Sequence, residues 1–241
     1  MSSGIYSALT GAVARMQNLD LAVNNLANVG NVGFKGSRVS FESIYDERIQ
    51  NTHGLGKNFT RTAGRFVDFS QGDIERSGRP LDMAIKGDGF FKVAGEDGFF
   101  YTRKGDFRID ENGSLVTGTE GLQVVGEEGP VFLPGSDIHI DPRGNITADG
   151  QPVGRLTIYD IEDRDALRQR ENGLWAAAQD AADRPSEDSE VIQGSLEQAN
   201  VNALRLTTEI IEINRSYAAY MQTMKIYSEL AEKARSIGEI G

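Results

Sequence analysis

A few short stretches of this chain hold the residue types that chemistry usually needs. Asp110 to Gly113 (DENG) and Asp141 to Asn145 (DPRGN) have the oxygen-rich look of calcium loops. Neither continues into the twelve-residue ligand run closed by a bidentate Glu, so hairpin turns are expected at both. Gly54 to Asn58 (GLGKN) places a Lys after glycine, but without phosphate-loop spacing or a hydroxyl for magnesium. Gly87 to Gly89 (GDG) is not followed by helix signals, so a dinucleotide fingerprint fails. His53 and His139 are the only histidines, and neither belongs to an HxxxH or HxH pair that would hold zinc. Asp160, Glu162, Asp163 and Asp165 could mimic an acid/base pair but read better as a solvated charge run. No G-x-S-x-G elbow is present, and Trp175 in GLWAAA reads as a core anchor. Zero cysteines exclude thiolate sites, a Cys nucleophile and a disulfide scaffold. The expectation is a non-enzyme with no catalytic, cofactor-binding or metal-binding residues and no cofactor.

If no site demands the fold, the elements themselves must carry the function. The 241 residues suffice for a core, and the net charge of −11 argues against a nucleic-acid partner. The charge is uneven: residues 1–70 carry 7 basic and 5 acidic groups, residues 191–241 carry 5 and 6, and the acidity lies between them. All six prolines also lie between, whereas 195–237 contain neither Gly nor Pro. No apolar run is long enough to cross a membrane, so no membrane insertion is expected. The N-terminus lacks the basic start and apolar stretch of a signal peptide, so export would leave it uncleaved.

Both ends carry a heptad. At the N-terminus Ile5, Leu9, Ala12, Met16, Leu19, Val23 and Leu26 recur at alternating spacings of 4 and 3. That period marks a seam for another helix. Asn28 and Gly30 are expected to end it, as residues that tolerate the left-handed conformation. At the C-terminus the same alternation runs from Leu196 through Ala199 and Ala203 to Leu206, Ile210, Ile213, Tyr217, Tyr220, Met224, Tyr227, Ala231 and Ala234. Ser195 with Gln198 reads as a capping box, with Glu197 in the first turn. Between the ends, short apolar runs and Gly-rich turns predict strands at 81–86, 90–94, 99–102, 106–110, 114–117, 122–125, 131–133, 138–141, 145–148 and 155–161. Residues 162–171 read as a polar helical turn or loop, 179–190 as a linker, and 34–75 as an extended arm with short strands or a helical turn. The fold class is therefore α+β: long terminal helices forming a coiled-coil domain around a central, irregular antiparallel β-domain. The divisions fall at 1–70, 71–190 and 191–241.

The stretch from Gly4 to Lys35, with Asn24, Asn25, Leu26, Ala27 and Asn28 (NNLAN) followed by Gly33, Phe34 and Lys35, resembles the start of bacterial flagellar rod and hook proteins. Arg79 to Val93 (RPLDMAIKGDGFFKV) with Tyr101 to Gly126 resembles that family's middle module, and Gln193 to Lys225 its C-terminal helix. The length is similar to the proximal-rod members; distal-rod members are somewhat longer, and hook proteins carry a larger middle insertion. The resemblance implies a structural subunit of the periplasm-spanning rod of the basal body. It implies export through the flagellar type III apparatus, and assembly with copies of itself and with proximal and distal rod subunits. Terminal helices would then line the inner tube and the β-module would face outward. The expected assembly interface is Ile5, Leu9, Met16, Leu19, Val23 and Leu26 with Leu206, Ile210, Ile213, Tyr217, Tyr220, Met224 and Tyr227. Asn24, Asn25 and Asn28 read either as turn and capping residues or as inter-subunit hydrogen bonds that fix register. The alternatives are a distal-rod subunit and a secreted oligomeric binding module.

Overall fold

A computed structural model describes residues 2–45, 58–95, 97–178, 183–186 and 188–238. His53, positions 54–57 of GLGKN and positions 179–182 of the expected linker lie outside these. The chain is α+β, with a helix Ser2–Ala27 (α1), a β-rich antiparallel middle and a helix Ala203–Gly238 (α2). It divides into a helical unit, Met1–Ala27 with Ser37–Asp68 and Val201–Gly241, and a β unit, Asn28–Gly36 with Phe69–Asn200.

In the helical unit α1 has 26 residues and α2 has 36, so they run about 39 and 54 Å at 1.5 Å per residue. α1 stops where the Asn-rich turn begins, but the left-handed residue that follows is Gly33, with φ of 66°, rather than Asn28 or Gly30. The region read as an arm contains an antiparallel hairpin, Ser37–Tyr45 with Asn58–Val67, whose register shifts between Ser40 and Phe41.

The start of α2 corrects the capping-box reading. Ser195–Glu197 is a strand paired with Ile74–Arg76, and the helix begins at Ala203. The reason is local: Asn200 and Asn202 find better partners outside a helix. The Asn200 amide oxygen accepts from Gly36 N at 2.8 Å. The Asn202 side chain caps α2 by accepting from Arg205 N at 3.0 Å. Leu196 and Ala199 therefore precede the helical seam.

In the β unit, Phe90–Gly95 pairs with Gly98–Thr102 on one side and Gln123–Val125 on the other. Beyond these lie Leu174–Ala176 and Arg168–Gln169 in one direction, Leu115–Thr117 and Phe107–Ile109 in the other. Ile158–Ile161 also pairs with Phe90–Gly95, and Asp183–Pro185 with it. A smaller sheet joins Ile138–Ile140, Asn145–Ala148 and Gln151–Arg155, and Met83–Lys86 pairs with Glu190–Gln193. The expected strand at 131–133 is reduced to one isolated bridge, Phe132 with Ser114, with another just before it from Pro130 to Val125, because Pro130 and Pro134 bracket it. The polar turn at 162–171 is two short 3-10 turns with an edge strand between them. Part of the expected linker is the strand Asp183–Pro185. The core is built from Met83, Ile85, Phe91, Val93, Leu115, Val124 and their neighbours, all withdrawn from water.

Candidate assembly surface

Glycines seven residues apart bring the terminal helices together. A methyl placed on Gly4 would lie 2.8 Å from the Tyr227 ring, and one on Gly11 would lie 2.6 Å from the Tyr220 ring. The helices are thus antiparallel, and the tyrosine rings occupy the space that missing side chains leave. Gly11, Ala8, Ala12 and Ala22 are buried on α1. On α2 the less exposed residues are Leu206, Ile210, Ile213, Ser216, Tyr217, Tyr220, Met224, Tyr227 and Ala231, all but Ser216 on the expected heptad.

The expected seam residues of α1 take two positions. Ile5, Leu19 and Leu26 are half-buried, while Leu9, Met16 and Val23 are 45%, 55% and 49% exposed. Tyr6 and Val13 are also exposed and extend the same side. α1 therefore sets Gly4 and Gly11 against α2 and leaves Leu9, Met16 and Val23 exposed. Of the three asparagines, Asn25 is buried and holds the hairpin: its amide nitrogen donates to Ser37 O at 2.8 Å and its oxygen accepts from Ser37 N at 3.0 Å. Asn24 is exposed, and Asn28 is half-buried and accepts from Asn31 at 2.7 Å.

The pattern of large side chains overlooked Gly4 and Gly11. Their signal was present: glycine costs a helix interior up to about 1 kcal/mol, so two at heptad spacing ask for a close neighbour. It also overlooked a buried charge centre in the β unit. Glu197, read as a helix first-turn residue, accepts from Lys35 Nζ at 2.6 Å, Arg103 Nη1 at 3.1 Å and Gly72 N at 2.9 Å. The Lys35 and Glu197 side chains are 0% exposed.

Several of the stretches singled out for chemistry serve as turns and packing. Asp110 Oδ1 accepts from Asn112 N and Ser114 N at 2.9 and 2.8 Å. Asp141 Oδ1 accepts from Arg143 N and Asn145 N, both at 2.9 Å. These bonds hold both carboxyls below the usual carboxylate range, led at Asp110 by the Ser114 amide and at Asp141 by the Asn145 side chain. Asp160 faces Arg164 and Arg184, and Asp163 caps a 3-10 turn. Trp175 is buried against the edge of Phe69 at 5.1 Å. His139 is exposed in mid-strand. Among the described residues, no group of three or more His, Cys, Asp or Glu could hold a metal, and no helix is long and apolar enough to cross a membrane.

Residues 84–151 match the family described as flagellar hook protein FlgE/F/G D1 domain, and residues 192–237 match flagellar basal body rod FlgEFG protein C-terminal. The chain is 29% identical to the flagellar basal-body rod protein FlgF of Caulobacter vibrioides, covering 97% of each. It is 30% identical to FlgG of Bacillus subtilis, covering 97% of this chain and 98% of that one. It is also 30% identical to FlgF of Rhizobium meliloti, covering 90% of each.

Proposed function

The chain belongs to the flagellar basal-body rod proteins, and from that premise we propose that its terminal helices build the rod by meeting copies of themselves along the outer face of α1. Rod proteins are structural rather than enzymatic, and this chain is a structural rod subunit most like FlgF, with FlgG an equally supported alternative. Its place is the basal body, and its partners are other rod proteins. Export through the type III apparatus with an uncleaved N-terminus belongs to the same reading, as does the division at residues 70 and 190 into helix-and-arm, β-domain and C-terminal helix.

The observation that carries the proposal is the sorting of side chains on α1. Gly4 and Gly11 lie against α2 and Ala8 and Ala22 are buried, whereas Leu9, Met16 and Val23 are exposed. A large apolar side chain left in water forgoes about 1.5–3 kcal/mol, so a row of them favours a partner. α1 and α2 then act as an antiparallel coiled-coil pair whose free row receives the next subunit. Such contacts join unlike surfaces and do not close on themselves, which is the geometry of a filament. α2 is also ten residues longer than α1, so part of its seam exceeds what one α1 can cover. The test is Ile213→Asp, which buries a charge in the seam. The expected outcome is loss of rod incorporation and swimming with the β unit still folded; normal swimming overturns the proposal.

A further inference from the structure

The charge centre in the β unit has no role in burying the helices, and it is poorly suited to stabilising its own surroundings. Lys35, Arg103 and Glu197 place three ionised groups where almost no water reaches. Taking such groups out of water offsets most of their mutual attraction, and apolar side chains of similar volume commonly serve stability as well or better. Burial also pulls the Arg103 guanidinium below its ordinary value, against the opposing effect of Glu197. Its Nε is buried without a hydrogen-bond partner. Stability alone does not account for this arrangement.

Direction does. Lys35 lies eight residues beyond the end of α1, and Glu197 lies six before the start of α2. Glu197 binds the first of these segments twice, through Lys35 and through its backbone oxygen, which accepts from Gly33 N at 2.7 Å. Lys35 also donates to Ser70 O at 2.7 Å, and Asn200 ties Gly36 N to the same region. Arg103 donates to Gly87 O at 2.9 Å, with its charge over the Phe90 ring at 5.5 Å. Charge-assisted bonds are directional, and each excludes neighbouring arrangements that an apolar contact would tolerate. Gly33 closes the remaining freedom: it sits in the left-handed region, and a methyl there would lie 2.5 Å from the Arg103 carbonyl carbon.

We infer that Lys35, Arg103 and Glu197 are positioning residues that hold the segments feeding α1 and α2 side by side in one arrangement, and thereby fix the register in which the two helices meet. The inference rests on the assembly reading above.

The test uses the full chain carrying Lys35→Met, Arg103→Met and Glu197→Leu together. With no native cysteine, spin labels at Asn31→Cys and Gln198→Cys report the distance between the two feeding segments. The triple variant should keep or raise the denaturation midpoint of the β unit while the label distance distribution broadens. Rod incorporation should fall by about tenfold, the scale of a lost coupling. A narrow distribution with normal incorporation overturns the inference. A second measurement on the unmodified chain decides the matter even if the triple variant does not fold. The amides of Gly33, Gly36 and Gly72 should exchange with deuterium as slowly as Val93 in the core; rapid exchange overturns the inference. If the unmodified chain fails to enter rods, the assembly reading falls, while labels and exchange still judge the positioning claim.

Discussion

In the β unit the side chains withdrawn from water are large: Met83, Ile85, Phe91, Leu115, Ile146 and Leu156 are nearly inaccessible. In the helical unit they are mostly alanines, Ala8, Ala12, Ala14 and Ala22, joined by Leu206 and Ile213, while Tyr6, Val13, Met16, Ile211 and Leu230 face solvent. Burial stabilises in proportion to apolar area, so the first unit supplies its own core and the second leaves much of its apolar surface unused. On the reading proposed above, that exposed apolar surface is where subunits meet.

The sharpest way to break this comparison is to damage the self-sufficient core. Phe91→Ala removes a fully buried ring that packs edge-on to Phe107 at 5.0 Å. The expected loss is about 3–5 kcal/mol, read as a lowered denaturant midpoint of the β unit. A loss below about 1 kcal/mol would show that this core is no better packed than the helical pair.

Next in size is Gly11→Leu. The leucine must displace the Tyr220 ring, which lies where its first carbon would go. Overpacking of this kind costs about 1–3 kcal/mol, against a helix-propensity gain of about 1 from removing glycine. The net result should be earlier melting of the helical signal at 222 nm with the β-unit transition unmoved. Gly11→Ala is the sharper companion: its propensity gain nearly offsets a smaller clash, so it should melt close to the unmodified chain.

A smaller effect concerns the hairpin at Asp141. Its carboxyl is held below the usual range by the Asn145 side chain and by backbone amides. A group depressed on folding contributes its stability above its unfolded pKa, about 3.9, and loses it as pH falls through the folded value. Asp141→Ala should therefore lower β-unit stability at neutral pH and leave it unchanged well below both values. A difference that persists in acid would mean the turn is held by something else.

The parts of the fold legible in the sequence were those with a strong period. The buried and half-buried row of α2 from Leu206 to Tyr227 could be read because its residues recur at 3 and 4, although Ile211, Met221 and Ile226 lie off it. The strands around Phe91 and Val124 could be read because Gly-rich turns separated them. Ser195 misled because a capping box is a local signal, and here a pairing with Arg76 and the buried bonds of Glu197 outweigh it. The face of α1 that meets α2 could not be found from large apolar residues alone, since Gly4 and Gly11 are part of it. Lys35, Arg103 and Glu197 are separated by up to 162 positions, and no spacing rule joins residues so far apart.

The smallest change in the isolated chain should come from Met16→Lys, and it bears most directly on the comparison. Met16 is 55% exposed, lysine is nearly as good a helix former, and no buried contact is lost. Unfolding of the isolated protein should shift by no more than about 0.5 kcal/mol, as for ordinary surface positions. If the exposed row on α1 is reserved for a neighbouring subunit, the same substitution buries an ammonium group in an apolar contact, which is unfavourable unless it is paired. Rod incorporation should then fail although the monomer is intact, and an alanine at the same place should weaken incorporation less than lysine does. Equal incorporation of Met16→Lys and the unmodified chain would mean that the row faces solvent in the assembled rod. In that case the helical unit would need another surface, and Ile211 and Leu230 on α2 would be the next to test.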